Sequence, residues 1–559
     1  MGREELIISE RIKKLEEIRK LGINPYPHKY DPNSYSKDIK EKYKDLKNNE
    51  RTNDFFKIAG RVMTIRDLGK LIFATLQDFK GRIQIIFQIK ETEKFSFDLF
   101  KKFIDIGDII GVEGIVMKTK TGEISILSKK MTILAKSILP LPEKWHGLTD
   151  KEERYRKRYI DLIMNPEVKE VFEKKTKIID EIRRILKDKE FLEVDTPYLQ
   201  PLYGGANAKP FETYLNSLNM KLYLAISPEL YLKRLIVGGY DKVFTISRNF
   251  RNEGIDRWHN PEFTMLEAYS AYSDYNDMMN LFEEIYETIC IKINGSTKVN
   301  FKGVEIDFKR PWKRMTMLES IKKFAGIDLE KMSDEKIDEF VKRNNLNPKG
   351  DTWGWKVQAI FEHFCESKLE QPVFIIDHPL ETTPLCKTHR NDKLLRLIER
   401  FEPFCMGVEL GNAYSELNDP ILQRKLLEEQ QKMLSNGNEE ANPLDQDFIN
   451  AIEIGMPPTG GLGLGIDRMI MILTGQESIR DVLLFPFMKP ERSNLEIKKI
   501  EEKIEKIIQK TDIEKIEIEE KEKEIEKKYK KNKKLKNFNK KILNQKQKKR
   551  NRKKIKQKK

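Results

Sequence analysis

The sequence predicts an α+β fold with a small five-stranded β-barrel near the N-terminus, and three observations carry that prediction. Short β-type runs separated by turn residues crowd positions 55–135. Amphipathic helical stretches flank that region on both sides. Beyond residue 166, strands and helices mix without the regular alternation a doubly wound parallel sheet needs. At 559 residues the chain has room for several cores, and 29 Phe and 18 Tyr help to fill them.

Residues 1–54 form a helix and a lead-in. Ile7, Ile8, Ile12, Leu15, Ile18 and Leu21 fall on or near one stripe, and Asn24-Pro25-Tyr26-Pro27 ends it. Over 55–135, β-type runs at 57–62, 73–76, 83–87 and 109–112 alternate with turns at 105–108 and 120–123. That spacing fits a closed barrel of the oligonucleotide-binding (OB) type, although another small β-barrel would fit the pattern too. Residues 136–165 read as a linker, opened by Pro140-Leu141-Pro142 and strongly charged from 152 to 161.

The α+β body spans 166–490. A helix over about 167–190 carries Val168, Val171, Ile178, Ile182, Ile185 and Leu186 on one face, and Phe191 to Pro197 leaves it as a strand. Residues 328–370 read as a helical insertion, with Ser333 at a helix cap. The last segment, 491–559, differs in kind. Residues 527–559 hold 19 Lys and Arg and no acid, so residues 1–526 carry −4 of the total +15. A charged helix over 494–526 and disorder beyond it are expected.

Several classes are excluded. No run of eighteen apolar residues is present, so a spanning helix is not expected, and the acidic start shows no secretory signal. Cysteines at 290, 365, 386 and 405 are spaced too widely for a zinc knuckle or redox pair. Buried thiols in a reducing, cytoplasmic compartment are expected.

Three segments carry chemistry. Residues 243–253 read as a strand, and period two puts Ser247, Asn249, Arg251 and Glu253 on one face. After a loop, Phe263, Met265, Glu267 and Tyr269 share a face. Arg251 offers a planar fork for a phosphate and Phe263 a flat surface for a base, though an ordinary hairpin with solvated charges reads the same way. The glycine run at 460–465 lacks both the dinucleotide fingerprint and the Lys-Ser/Thr of a P-loop. A helix follows with Arg468 in its first turn, which suits a polyphosphate; a tight packing turn is the alternative. The third segment, Arg400-Phe401-Glu402 through Glu409 to Glu416, gathers three glutamates fit for cations. Asn412, Tyr414 and Glu416 share strand parity but Glu409 does not, so the grouping needs a bulge at Gly411.

In this order the segments resemble a class II lysyl-tRNA synthetase over about residues 3–490. Phe191 to Pro197 is similar to class motif 1. Phe250-Arg251-Asn252-Glu253 with His259 and Phe263 is similar to motif 2, and Gly463-Leu464-Gly465-Ile466-Asp467-Arg468 to motif 3. Gly204-Gly205-Ala206, Pro228-Glu229-Leu230-Tyr231-Leu232-Lys233-Arg234 and the stretch from Glu409 to Glu416 resemble the lysine-enzyme version. The resemblance implies a catalytic domain on an antiparallel sheet flanked by helices, an OB domain that reads the anticodon, and a homodimer through motif 1. It implies ATP and lysine as substrates, tRNA(Lys) as partner, more than one Mg²⁺ per subunit and no membrane. Arg251 and Arg468 become catalytic, at the α- and γ-phosphates. Glu253, His259, Asn260 and Phe263 complete the ATP site, and Glu402 and Glu409 hold Mg²⁺. Glu416 and Tyr269 fall at the lysine side-chain ammonium, Glu229 and Glu267 nearer the α-amino group, with Gly205 and Asn412 beside them. Arg66, Phe73, Gln84 and Glu123 match anticodon contacts.

Carboxylates left unpaired would reject a neutral or acidic amino acid strongly. Ornithine, one methylene shorter, is rejected by only about 1–3 kcal/mol. The rivals are an aspartate or asparagine enzyme, and a silent paralogue that only binds tRNA. The basic tail either adds tRNA affinity through phosphates or reflects compositional drift.

Overall fold

The computed structural model describes residues 3–142, 150–391 and 396–490. The charged helix and disorder expected of 491–559 lie outside the described residues.

The N-terminal strands Arg51–Asp67, Leu71–Gln77, Arg82–Gln88, Ile109–Lys118 and Ile124–Ala135 close into a barrel. The first closes it by pairing with both the second and the fourth. It bends to do so at a register shift between Val62 and Thr64. Alternate residues point inward, so Ile58, Val62, Ile72, Ile83, Ile85, Val112 and Ile126 share one core. Helix Lys94–Phe103 covers part of that core, stacking Phe100 on Phe87 at 4.1 Å. Helix Arg3–Lys20 adds Ile18.

Part of the stretch read as a linker is helical, with short helices at Lys151–Arg156 and Arg158–Met164. Buried Arg158 pairs with Asp161 at 2.5 Å and donates to the carbonyls of Arg480 and Leu483. A guanidinium with that many acceptors tolerates burial.

The larger body is built on a nine-stranded sheet. In spatial order its main path runs Lys313–Thr316, Val373–Pro379, Leu397–Cys405, Gly411–Ser415, Thr459–Gly465, Glu262–Ala271, Lys242–Phe250 and Leu192–Glu193. Its centre is antiparallel; the outermost pair at each edge is parallel. The strand expected from Phe191 to Pro197 shrinks to two residues, and the one expected to reach Glu253 stops at Phe250. One face of the sheet packs on helix Tyr275–Asn294, which a capping box at Asp274 starts and Gly295, at φ 73°, stops. Met278, Phe282, Ile285, Tyr286 and Ile289 repeat at helical spacing in the core beneath it. Each such aromatic or aliphatic side chain contributes about 1.5–3 kcal/mol by burial. The insertion forms helices Asp334–Arg343 and Trp353–Phe364 around a core of their own; Ser333 holds the N-cap position of the first, but its side chain makes no capping bond.

Candidate active site

The opposite face of the sheet is open over a cavity of about 400 Å³. Its floor explains the glycine run. Thr459–Gly465 is a central strand, neither a loop nor a turn, and period two sends Leu462 and Leu464 into the core. Gly461, Gly463 and Gly465 line the cavity, joined by part of Leu462. Side chains of the flanking strands lean across the space they leave. A Cβ on Gly461 would overlap Glu416 Oε1 and crowd the Tyr269 ring.

Registers place the neighbours. Gly461 pairs with Tyr269 on one side and Tyr414 on the other; Gly463 pairs with Glu267 and Asn412. Phe263 stands opposite Asn249 in the hairpin, and Arg251 follows where the strand ends, its N–H bonded to the Pro261 carbonyl at 2.9 Å. The bulge that the parity argument required is present. Phe404 faces Glu409 but Arg400 faces Tyr414, so the 408–415 side holds one extra residue. Glu409, Asn412 and Glu416 thereby reach the same cavity.

One end is acidic and enclosed. Glu229, Glu267 and Glu416 are 4%, 4% and 1% exposed. Ser227 Oγ donates to Glu267 at 2.8 Å and Tyr269 at 3.2 Å. Tyr414 donates to both oxygens of Glu229 at 2.7 Å. Burial and the charge of Glu229 push the Glu267 carboxyl up to about 8, and burial raises Glu416 well above the usual range. Gly205 closes this end at φ +86°, where a Cβ would press on Glu229 and Ser227.

The other end is cationic and open. Arg468, in the first turn of helix Ile466–Leu473, donates to the Glu409 carbonyl at 2.6 Å and approaches His259 Nε2 at 3.1 Å. Asp256 orients that imidazole through Nδ1 at 2.8 Å. Asp467 accepts from the Thr264 N–H and from Lys175, both at 2.8 Å, and so fastens this helix to the hairpin. Gly461 and Gly465 are four residues apart, about 13 Å along a strand. Arg251 stands between the two ends. Burial weighs against its charge, and Glu253, Glu409 and Glu267 support it. Its guanidinium lies 5.1 Å from the Phe263 ring centre. Asn260 donates to the Glu262 carbonyl, and its Oδ1 is buried with no hydrogen-bond partner among the described residues.

Among the described residues, no three acidic, His or Cys side chains form a metal cluster. Two carboxylates are nevertheless the share that Mg²⁺ takes from a protein when nucleotide phosphates complete its shell. Glu402 and Glu409 offer oxygen donors in excess of local positive charge. Burial and Glu409 raise Glu402 to about 7 against the pull of Arg400, 2.5 Å away. Glu366 beside them is pushed up to about 8 by burial and by Glu362, Glu402 and Glu409. A divalent cation fits that surplus.

Every expected ATP and lysine residue lines this cavity. Arg66, Phe73, Gln84 and Glu123 lie on the barrel instead. Arg66 pairs with Phe73 across adjacent strands, Gln84 donates to Ser125 at 3.0 Å, and Glu123 is held by Lys40 at 2.9 Å. Sequence reasoning missed Arg400, which donates to Asn412 at 2.8 Å, and Lys349 on the rim, paired with Glu440 at 3.1 Å. It also missed Lys233, whose four-residue spacing from Glu229 on a helix was the available signal. The four cysteines are free and buried. Among the described residues, no helix is long and apolar enough to cross a membrane.

A sheet with a backbone floor, an arginine on motif 2 and another after the glycine strand define a class, and comparison with known proteins agrees. Residues 150–489 match tRNA synthetases class II (D, K and N), and residues 56–134 match the OB-fold nucleic acid binding domain. The chain belongs to the class II tRNA synthetases, and its relatives place it among the lysine–tRNA ligases. That of Methanoculleus marisnigri is 49% identical over 481 residues, 86% of this chain and 94% of its own length. That of Syntrophomonas wolfei is 49% identical over 499 residues, covering 88% and 100%. The Fervidobacterium nodosum enzyme is 46% identical over 512 residues, covering 92% and 97%.

Proposed function

We propose that this enzyme joins lysine to tRNA(Lys) in two steps within the cavity. A carboxylate oxygen of lysine attacks the α-phosphorus of ATP, the bond to the bridging oxygen breaks, and pyrophosphate leaves lysyl-adenylate behind. A hydroxyl of the terminal adenosine then attacks the lysyl carbonyl carbon and AMP departs. The observation that carries this reading is the row of three enclosed glutamates at one end of a cavity whose other end is lined by arginine.

Arg251, between the two ends, pairs with the α-phosphate and offsets the charge that grows on it during attack. Phe263 stacks one face of the adenine and Arg468 covers the other, its guanidinium reaching the γ-phosphate. His259 contacts the outer phosphates; Glu253 and Asn260 frame the nucleotide. Glu402 and Glu409 would hold Mg²⁺, which would supply positive charge to neutralise the triphosphate and its leaving group. Glu416 and Tyr269 take the side-chain ammonium, Glu229 and Glu267 the α-amino end, and Gly205 and Asn412 complete the enclosure. Nothing in this scheme needs a covalent enzyme intermediate, because placement and electrostatics suffice.

Arg66, Phe73, Gln84 and Glu123 read the anticodon on the barrel, by stacking and edge contacts. Reading through Glu123 requires its ion pair with Lys40 to open. A homodimer through the 192–218 region is supported by exposed Leu192, Tyr198, Leu199, Leu202, Tyr214 and Leu218, at 41–67%. A cytoplasmic location follows from the role in translation. ATP–pyrophosphate exchange with each amino acid in turn tests the whole reading: lysine alone should support fast exchange, and exchange driven by aspartate or asparagine would overturn it.

A further inference from the structure

Lys233 has no accessible surface and does not line the cavity; it lies behind the wall formed by Glu229 and Glu416. Its ammonium donates to Glu229 Oε1 at 2.7 Å and to the Leu385 carbonyl at 3.4 Å, and sits in ion-pair contact with Glu416 Oε2. The rings of Tyr414 and Phe448 cover it at 5.5 and 6.0 Å. Burial alone would discharge such an amine. Glu229 and Glu416 outweigh that cost and keep its pKa above the ordinary lysine range.

The two carboxylates use this cation differently. Glu229 is also satisfied by Tyr414. Glu416 is 1% exposed, and Lys233 is its ion-pair partner. Among the described residues its Oε1 has no hydrogen-bond partner, and it stands over Gly461, on the cavity floor. We propose that Lys233 is a positioning residue for the amino-acid substrate, clamping Glu229 and Glu416 from behind so that Glu416 turns a free oxygen to the incoming ammonium. The proposal rests on the lysine-activating reading above.

The chemistry makes a specific demand. Two carboxylates on facing walls share a proton unless a cation lies between them, and a protonated carboxyl offers an ammonium no charge. The groups that face this pair are Glu267 and Tyr269 from one strand, Tyr414 from another, and Cys386 and the Leu385 carbonyl from the adjoining segment, with Arg400 beyond Cys386. Arg400 is the remaining cation in that set and bonds to Glu402 and Asn412 instead. Without Lys233, ionising Glu416 therefore requires a higher pH.

The test is lysine-dependent ATP–pyrophosphate exchange by the full chain, with KM for lysine followed from about pH 6 to 9. Lys233→Met should move the pH midpoint of that KM up by about one unit or more, leave KM for ATP within about two-fold, and raise the rate with uncharged norleucine relative to lysine. Lys233→Arg should restore the midpoint. A Lys233→Met profile that coincides with wild type would overturn the proposal. So would a uniform loss in both substrates that Lys233→Arg does not repair. If Lys233→Met fails to fold, Glu229→Gln/Lys233→Met removes the ammonium together with the repulsion between the carboxylates; its midpoint must lie above that of Glu229→Gln alone, and equality refutes the clamp. Wild-type exchange driven by another amino acid would instead sink the functional reading, and the clamp with it.

Discussion

At the scale of single residues, Glu416 carries the sharpest consequence. Truncating one partner of a buried charge pair costs about 2–5 kcal/mol, or roughly thirty-fold and more. Glu416→Gln should therefore lose at least that much lysine-dependent exchange while ATP binding, measured by calorimetry, stays within a few-fold. Unchanged exchange would remove Glu416 from the lysine site. Glu267 makes a prediction about protons. Burial and Glu229 raise its carboxyl to about 8, so below that pH it holds a proton until a cation pairs with it. Lysine binds the ionised form, so binding at neutral pH should release protons, and affinity should rise toward pH 8 and then level. Calorimetry in buffers of differing ionisation enthalpy reads this directly; proton uptake would contradict the sign. The motif residues were legible because their types and order are distinctive. Lys233 was not, because two of its three partners, the Leu385 carbonyl and Glu416, lie more than 150 residues from it in sequence.

At the scale of elements, the bulge after Glu409 decides which carboxylates share the cavity. Parity in the sequence exposed the need for it, and Gly411 was the available residue. The reason only glycine serves is tertiary: a Cβ there would strike the Gly463 carbonyl and come within 2.8 Å of the Phe282 ring. Gly411→Ala should lower the unfolding midpoint, by the roughly 1–3 kcal/mol of an overpacked core, and raise the Mg²⁺ concentration that exchange requires. An unchanged Mg²⁺ titration would detach Glu409 from the metal. The strand character of the glycine run is hard to read in the sequence, where a packing turn stays open as an alternative, because glycine carries no hydrophobic period on one face; the alternate Leu462 and Leu464 are the usable half of the pattern. The helices within 150–165 escaped notice since their charges read as solvent-facing. Arg154 and Arg158 in fact converge on buried Asp161.

At the scale of the whole molecule, charge is divided between a mildly acidic body and a basic tail. Nineteen cations without an acid over 527–559 suit phosphate contacts. Truncation after Pro490 should leave lysine-dependent exchange within about two-fold but flatten the salt dependence of KM for tRNA. Identical salt slopes with and without the tail would mark it as drift. The two-domain plan was readable in outline, from strand spacing in the barrel and mixed order in the body. The spatial order of the sheet was not, because pairings such as Glu267 with Gly463 join segments nearly 200 residues apart.

The backbone floor also limits how this enzyme can change. Any single-nucleotide change in a glycine codon that alters the residue adds a side chain or ends translation, and at Gly461 any side chain invades the space of Glu416. At that position the floor thus offers lineages no graded intermediates. A new substrate has to be reached through the walls, where Glu229, Glu267 and Glu416 can each be exchanged by small steps.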